Sequence, residues 1–326
     1  MRNDTIDGFR LIAAFFVVCL HAGLPGMGTI LTPFYRMAVP FFFLVSGFYL
    51  YDSDRQRMNS KILKSMKRIG LIWFQATLVY VVVTFLCFPE DWFNQVRLFF
   101  SFKFWLLNVA PFNSVLWYLL AYLYTLALIY GLNKLTCISK LGGQVFLLLI
   151  IPGLMVNYCI GEFHFLFMSN NIDWIYQTNF ITLGFPIVMI GIFSKKYVQH
   201  LPKISGFKYI LWLLIFYTIA IIQWYIIKKV THESVTTNIF LFSTLPMIIL
   251  TLCYALYNPK FFKNIIPKWG RLYSLDIYVY HIMFLWFILT LGKYCSSIFF
   301  IKNAVVVFLL TFVFAIFKRF VKLKIG

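Results

Sequence analysis

The sequence predicts an all-α integral membrane protein with about ten transmembrane helices in one bundle. Hydrophobic residues make up 62% of the 326 positions and charged residues only 12%, and the mean hydropathy is +0.84. A soluble globular domain has about 25% charged residues, so this chain has too few to cover a water-facing surface. Apolar runs of about 20 residues, the length that crosses a bilayer, are the second observation behind this prediction.

Ten such apolar runs follow one another along the chain. They lie at 7–24, 33–51, 70–88, 111–132, 143–160, 178–194, 208–227, 237–257, 273–292 and 297–317. A further stretch at 91–107 mixes Arg97 and Lys103 with Trp and Phe side chains, which is typical of an amphipathic segment in the membrane interface. No linker, charge block or repeat divides the chain, so we expect a single transmembrane domain over 1–326 without an appended soluble domain.

The position of the basic residues is the third observation. The net charge of +19 would suggest a nucleic-acid partner in a soluble protein, but the basic residues lie mostly in short connections between apolar runs. If the N-terminus is cytoplasmic, 21 of them fall on the cytoplasmic side and five on the other. The positive-inside rule then predicts a multi-pass protein of the cell membrane with both termini cytoplasmic. Membrane lipid, and no nucleic acid, is the expected partner.

The cysteines argue against a zinc, haem or disulfide-stabilised protein, and the first apolar run argues against a cleaved signal peptide. The six cysteines are scattered and none forms a C-x-x-C pair, so the pattern supports no zinc site, haem attachment or disulfide framework. No metal is expected. The first run carries internal charges and lacks a small-residue cleavage site, so we expect it to remain as the first span and not to be removed as a signal peptide.

Three ionisable residues interrupt the first span, in the stretch IDGFRLIAAFFVVCLHAG. Such residues are costly inside a membrane and usually functional. Arg10 and His21 are eleven residues apart, which on a helix places them about 20° from alignment and roughly 16 Å apart along the axis. Asp7 precedes Arg10 by three residues, the spacing of an ion pair on one helix face.

Arg10 and His21 each also have an explanation that involves no catalysis. Arg10 could extend to the aqueous interface, and His21 could hydrogen-bond a neighbouring helix. Their alignment on one face favours a shared function. A neutral histidine can take a proton from a hydroxyl as its oxygen attacks an acyl carbon, and a guanidinium can hold a phosphate or an anionic intermediate. The pair therefore suits acyl transfer.

Four motifs resemble those of the membrane-bound acyltransferase-3 family, in the family's order. The first is the opening stretch, in which ten residues separate Arg10 from His21, and the second is VPFFFLVSGFYLY at 39–51. SVLWYLLAYL at 114–123 is similar to the family's Trp-Tyr-Leu span, and LYSLDIYVYHIMFLW at 272–286 to its late S-x-x-x-Y-x-x-H segment. Together they cover essentially the whole chain.

The resemblance implies transfer of an acyl group, usually acetyl, from cytoplasmic acyl-CoA to a hydroxyl of a glycan or similar acceptor, in a bacterial inner membrane. His21 would be the catalytic base and Arg10 its essential partner. One motif departs from the family: its Arg-x-x-Arg before the third span has Arg68 here but Ser65 at the first position. A neighbouring lysine cannot reproduce the bidentate guanidinium contact.

Arg10 and His21 are too far apart to touch one acyl carbonyl, so we expect the pantetheine arm of CoA to bridge them, with the phosphates at the basic mouth. Ser46 or Tyr118 would stabilise the oxyanion, and an acetyl-histidine relay remains open. The basic stretch at 61–68 also fits topology or lipid headgroups alone. The expected site residues are His21, Arg10 and Asp7 for catalysis, Arg68, Lys67 and Lys64 for CoA, and Ser46, Trp117, Tyr118 and His281 for substrate.

The remaining polar residues carry weaker expectations. Asp276 and His281 are five residues apart, about 140° around a helix, so they are not expected to form a dyad, and His281 either lines the cavity or packs in the core. His164, His200 and His232 fall in loops and are not expected to be catalytic. The aromatic, amide-rich stretch at 161–179 fits either sugar stacking or an interfacial belt.

The main alternative function is a transporter or flippase for a glycan or a lipid-linked intermediate, since polar residues within spans fit that class too. Transporters often contain internal repeats and broken helices in matching positions, and the two halves of this sequence lack convincing similarity. The acceptor and the acyl group are not specified by the sequence.

Overall fold

The regular secondary structure of the described part of the chain is entirely helical. The computed structural model describes residues 3–24, 30–159, 177–231, 242–293 and 303–325, and no residue in these ranges lies in a strand. Within them, seven helical segments are long and apolar enough to cross a membrane, namely Asp4–Ala22, Thr32–Leu50, Arg55–Cys87, Ser114–Thr136, Gly206–Ile226, Ile265–Gly292 and Ala304–Val321. The predicted class, an all-α membrane protein, is therefore confirmed.

The helices are numbered in chain order over the described ranges. They are α1 Asp4–Ala22, α2 Thr32–Arg36, α3 Ala38–Leu50, α4 Arg55–Cys87, α5 Pro89–Phe99, α6 Phe102–Leu107, α7 Trp117–Thr136, α8 Gly143–Tyr158, α9 Phe185–Lys196, α10 Gly206–Thr231, α11 Thr244–Tyr257, α12 Ile265–Gly292 and α13 Ala304–Ile325. A 3-10 turn at Ser114–Leu116 leads into α7, and a π turn at Phe180–Gly184 leads into α9.

Each of the ten predicted spans overlaps one of these helices, but not all reach the length of a membrane crossing. Helix α8 has 16 residues, α11 has 14 and α9 has 12. The start of the eighth span, at 237–241, and of the tenth, at 297–302, lie outside the described residues.

Helix α4 starts 15 residues before the predicted span. Its N-cap is Asp54, whose side chain accepts a hydrogen bond of 2.7 Å from the Arg57 backbone N–H. The 33 residues extend about 50 Å, well beyond a hydrocarbon core of about 30 Å. The six basic residues at 55–68 were expected in a connection before the third span, but they lie in the first half of α4.

Glycines let two pairs of helices cross closely. A Cβ atom added to Gly270 of α12 would lie 1.8 Å from the Asp7 carbonyl oxygen of α1. Where α3 meets α9, a Cβ on Gly47 would lie 2.0 Å from the Val188 carbonyl oxygen, and one on Gly191 would meet α3 backbone just as closely. Small residues at such crossings allow the close backbone approach on which helix packing in membranes depends.

The two ends of α1 define the two ends of the bundle. At the end called here the basic end, where α1, α4 and α12 begin, the backbone N–H groups of Asp4 and Thr5 donate to the Pro259 carbonyl at 3.1 and 3.2 Å. At the far end, the Gly23 carbonyl accepts a hydrogen bond of 2.9 Å from the Ala304 N–H. The predicted interfacial segment 91–107 forms α5 and α6 at the far end.

Candidate active site

A cavity of about 420 Å³ lies between α1, α3, α4, α7 and α12 and is called the basic cavity. It brings together five of the predicted site residues, which come from four separate segments: Arg10, Ser46, Lys64, Arg68 and Tyr118. The polar residues that line it are Arg10, Ser46, Tyr49, Lys61, Lys64, Ser65, Arg68, Tyr118, Tyr122, Ser274 and Tyr278. None of the described residues that line it is acidic, so the cavity favours an anion.

The cations of α4 form one stripe along that helix. Lys61, Lys64 and Arg68 are separated by three and four residues, the spacing that places side chains on the same helix face. Lys67 lies on another face, is exposed and does not line the cavity. Lys61 replaces it there, and the helical spacing to Lys64 and Arg68 was the sequence signal that could have identified it.

Of the four cations that line the basic cavity, Arg10 and Lys61 already have acidic partners. The Lys61 ammonium lies 3.0 Å from the Asp52 carboxylate and donates to the Tyr51 carbonyl at 3.2 Å. The Asp54 backbone N–H, together with Lys61, holds the pKa of Asp52 below its ordinary value. Lys64 and Arg68 have no carboxylate of the described residues within ion-pair distance, so they are the cations most available to a ligand.

Asp7 connects Arg10 to a second arginine. Its buried carboxylate lies 3.5 Å from the nearest guanidinium nitrogen of Arg10 and 4.0 Å from that of Arg271 on α12. The pairing of Asp7 with Arg10 follows the predicted spacing. Arg271 was not singled out by the sequence, because the contact depends on how α1 packs against α12 at Gly270. Asp7 therefore orients Arg10 at the cavity wall and joins the two helices.

An aromatic layer, formed by Phe42, Tyr118 and Tyr278, lies at the cavity end nearest the middle of the bundle. The Tyr118 and Tyr278 ring centroids are 5.1 Å apart, and Phe42 lies 6.2 and 6.3 Å from them. The Tyr278 hydroxyl donates to the Val115 carbonyl at 2.5 Å, which fixes that ring. Trp117 does not line the cavity; it is buried against Phe43.

Beyond this layer lies a pair of histidines. The ring centroids of His21 on α1 and His281 on α12 are 5.3 Å apart. His21 is exposed, whereas His281 is fully buried. The Nδ1 atom of His281 lies 2.7 Å from the Tyr278 carbonyl oxygen and 3.2 Å from that of Ile277. Because a carbonyl only accepts, we assign the proton of neutral His281 to Nδ1.

That tautomer leaves Nε2 of His281 as an acceptor. This atom is buried and has no hydrogen-bond partner among the described residues. Buried polar atoms are nearly always satisfied, and exceptions are often functional. The histidine pair therefore offers two basic ring nitrogens near the far end of α1, one exposed and one buried.

Tyr80 shapes the turn of α12 that carries His281. Its hydroxyl donates to the Val279 carbonyl at 2.8 Å and accepts from the Met283 N–H at 3.2 Å. These two groups would otherwise bond to each other in a regular helix. A side chain inserted into the helical ladder is a recognised cause of a local bend, so Tyr80 sets the path of this turn.

The basic cavity and the histidine pair do not share one open space. No histidine of the described residues lines the cavity, whose deepest α12 residue is Tyr278, about 4.5 Å along the axis from His281. The aromatic layer lies between them. A path from Arg10 to His21, as the sequence hypothesis requires, therefore needs this layer to move.

Asp276 and Tyr280 of α12 contact α13. The Asp276 carboxylate accepts a 2.6 Å bond from Lys318 of α13, which also lies 3.3 Å from the Tyr280 hydroxyl. The prediction that Asp276 and His281 form no dyad is confirmed. His164, His232 and most of the stretch at 161–179 lie outside the described residues.

Comparison with protein families agrees with these features. A family described as the acyltransferase domain matches residues 3–318, which is nearly the full length of the chain and includes the basic cavity and both histidines. The chain belongs to the acyltransferase-3 family. The resemblance drawn from the four sequence motifs is therefore confirmed, and the protein is an acyltransferase-3 membrane protein.

Two curated proteins share part of their sequence with this acyltransferase-3 protein. A serine/alanine racemase of Enterococcus gallinarum is 33% identical over 134 residues, which cover 36% of this chain and 18% of the racemase. An amino-acid racemase of Enterococcus faecalis is 30% identical over 95 residues, 26% of this chain and 14% of that protein. The matched segments thus span less than a fifth of either relative. No solved structure matches the chain significantly.

Proposed function

We propose that this acyltransferase-3 protein is an O-acyltransferase that moves an acyl group, most simply acetyl, from cytoplasmic acyl-CoA to a hydroxyl of a cell-envelope glycan or related acceptor. The observation that carries the proposal is the placement of an anion-binding cavity at one end of α1 and a histidine pair near the other. A donor that bears phosphates and an acceptor that must lose a proton require these two sites.

The proposal includes the orientation in the membrane. Ten spans with both termini cytoplasmic place the basic end at the cytoplasm, the side to which the count of 21 against five basic residues assigns it. Acyl-CoA is supplied from that side. The histidine pair then faces the outer side of a bacterial cell membrane, where envelope glycans are located.

The basic cavity is proposed to hold the CoA portion of the donor. Its volume of about 420 Å³ falls within the range of about 300–1,000 Å³ typical of small-molecule sites. Arg68 and Lys64 have no acidic partner among the described residues and would bind phosphates, with Lys61 and Arg10 adding charge. The pantetheine arm is narrow enough to extend between Phe42 and Tyr278 once these side chains move apart.

The chemistry is proposed to occur at His21. As the acceptor oxygen attacks the thioester carbon, His21 takes the hydroxyl proton, and the new C–O bond forms. The tetrahedral intermediate collapses with cleavage of the C–S bond, and the departing thiolate takes the proton from His21 to give free CoA. Tyr118 and Ser46 lie beside each other at the layer and would donate to the oxyanion. His281, with Nε2 free, would share the proton with His21.

A histidine exchange tests the proposal. In membranes containing His21→Ala, we expect transfer of acetyl from labelled acetyl-CoA to surface glycans, measured by mass spectrometry, to fall at least about 100-fold. His200→Ala is the matched control, since this histidine is exposed in a turn after α9, and it should retain full activity. Both variants must be present in the membrane at wild-type amounts.

The same experiment distinguishes the acyltransferase function from the transporter function. If His21→Ala leaves acylation intact but stops glycan export, the protein is a transporter and the proposal fails. Direct transfer and an acetyl-histidine relay are distinguished by rapid acid quenching: a relay predicts a peptide containing His21 that carries the acetyl mass before acceptor is added.

A further inference from the structure

A second cavity, of about 390 Å³, lies at the far end between α4, α5, α12 and the segment that leads into α7. We call it the far-end cavity. It is separate from the basic cavity, and none of the site residues predicted from the sequence lines it. Its lining combines an aromatic surface with side chains that form hydrogen bonds, namely Phe88, Trp286, Asp91, Gln95, Thr84 and Ser114.

The walls of the far-end cavity are held in place by contacts of their own. The Trp286 ring meets the rings of Tyr80 and Phe88 edge to face, with centroids 5.8 and 5.2 Å apart. The Phe112 N–H donates to the Gln95 side-chain oxygen at 2.9 Å, and the Phe112 carbonyl accepts from Thr84 at 3.1 Å. The cavity is therefore largely preformed, as small-molecule sites usually are.

The chemistry of the lining fits a neutral sugar ring. One face of a pyranose presents C–H groups that pack on an aromatic ring such as Trp286, while its hydroxyls both donate and accept hydrogen bonds. Asp91 accepts such bonds, and Gln95 has its amide N–H₂ left to donate, because its oxygen is already used by Phe112. Asp91 and Gln95 are four residues apart on α5 and lie on the same face.

The charge of the lining disfavours a phosphate. Asp91 is the one charged side chain among the described lining residues, and a carboxylate repels the phosphate of a lipid headgroup. The Lys293 ammonium lies 5.6 Å from the Phe88 ring centroid, but Lys293 does not line the cavity. A neutral glycan is thus favoured over an anionic lipid.

The far-end cavity lies nearer the far end than the histidine pair and on a different face of α12. Trp286 is five residues beyond His281 on α12, about 7.5 Å along the axis and about 140° around it. On the opposite wall, Ser114 precedes Val115, whose carbonyl binds the Tyr278 hydroxyl next to the histidines. A sugar on Trp286 would therefore not be the sugar that reacts at His21, but another unit of a glycan bound at the same end of the bundle.

We infer that the far-end cavity is an acceptor subsite for a neutral sugar unit other than the acylated one, so that the acceptor is a glycan of two or more sugars. This inference rests on the proposed function for the identity of the reacting site. It predicts that oligosaccharides bind better than the corresponding monosaccharides and that Trp286 and Asp91 account for the difference.

The test compares chitotriose and maltotriose with N-acetylglucosamine and glucose, by saturation-transfer NMR on the protein in nanodiscs. We expect one of the trisaccharides to bind at least about tenfold more tightly than its monosaccharide. Trp286→Leu and Asp91→Asn should each remove that advantage. The matched control is Trp105→Leu, since Trp105 is an exposed aromatic on neighbouring α6 and should not affect binding. Thermal unfolding checks that each variant is folded.

Two results would overturn the inference: equal binding of trisaccharides to wild type and Trp286→Leu, or no binding of any of these sugars to wild type. Displacement of trisaccharide by glycerophosphoglycerol at equal concentration would also contradict it, because the cavity would then be a lipid headgroup site. If His21-dependent acyl transfer is intact while Trp286→Leu changes nothing, only the subsite fails. If trisaccharide binding depends on Trp286 but no acyl transfer occurs, only the proposed function fails.

Discussion

Arg68 and Lys67 are neighbours in the chain, but only Arg68 lines the basic cavity. Both were expected to bind CoA together with Lys64 because the three are close in sequence. On a helix, however, adjacent residues are 100° apart, and residues three, four or seven positions apart lie on the same face. Lys61 satisfies that spacing and was missed. Helical periodicity, applied to charged as well as apolar residues, predicts this wall correctly once α4 is known to start before residue 61.

Substitution of Arg68 and of Lys67 tests whether position in the basic cavity decides which cation binds acyl-CoA. Arg68→Ala should raise the KM for acyl-CoA at least about tenfold, because a charge-assisted bond to phosphate is worth about 1.5–3 kcal/mol. Lys67→Ala removes the same kind of charge from the adjacent position and should change the KM less than about twofold. Steady-state kinetics with acetyl-CoA as the varied substrate measures both. Equal effects in the two variants would mean that the basic residues act only through surface charge.

Helix α12 combines most of the features that the sequence could not predict. Its apolar run was placed at 273–292, but the helix starts at Ile265, because hydropathy detects the part in lipid and not the polar turns before it. The contacts of Arg271 with Asp7 and of His281 with His21 depend on how two distant segments pack. No local pattern encodes such pairs, although the alignment of Arg10 with His21 on α1 was visible from spacing alone.

A second prediction concerns the two hydrogen bonds that the Tyr80 hydroxyl makes with the backbone of α12. Tyr80→Phe should allow the Val279 carbonyl and Met283 N–H to bond directly, which would shift His281 relative to His21. We expect kcat to fall at least about tenfold, since small misplacements at a reacting site are costly, while the KM for acyl-CoA is unchanged. Tyr217→Phe, which removes a single bond to the Ile30 carbonyl, is the control. An unchanged kcat in Tyr80→Phe would exclude the positioning role.

A third prediction concerns the crossing of α1 and α12. Gly270→Ala places a methyl group on the Asp7 carbonyl oxygen, so the helices must separate, at a cost of about 1–3 kcal/mol. We expect a lower melting temperature in detergent and weaker activity. In Gly131→Ala on α7, the added Cβ meets no atom within 4 Å, so stability should be kept or slightly raised. If the two variants melt alike, the close crossing is not needed for stability.

At the scale of the whole molecule, charge and apolar length predicted the class and the order of the spans. Each of the ten runs overlaps a described helix, and seven helical segments of the described residues are long and apolar enough to cross a membrane. The two cavities could not be predicted, since each is lined by at least four separate segments.

Orientation is testable at this scale with two single cysteines in a variant whose six native cysteines are replaced by alanine. Ser114→Cys lies at the far end and Leu135→Cys, highly exposed at the end of α7, at the basic end. A membrane-impermeant maleimide should label Ser114→Cys in intact cells and Leu135→Cys only after permeabilisation, as the positive-inside rule requires. The reverse pattern would invert the proposed donor and acceptor sides.

The aromatic layer has a consequence for the cell as well as for the reaction. A water-filled passage from the cytoplasm to two basic nitrogens near the outer side would let protons run down the gradient of an energised membrane. Phe42, Tyr118 and Tyr278 end the water-accessible space one helical turn before His281. In the proposed mechanism, a slender thioester arm would part these rings and exclude water as it passes, so the transfer would not open a path for protons across the membrane.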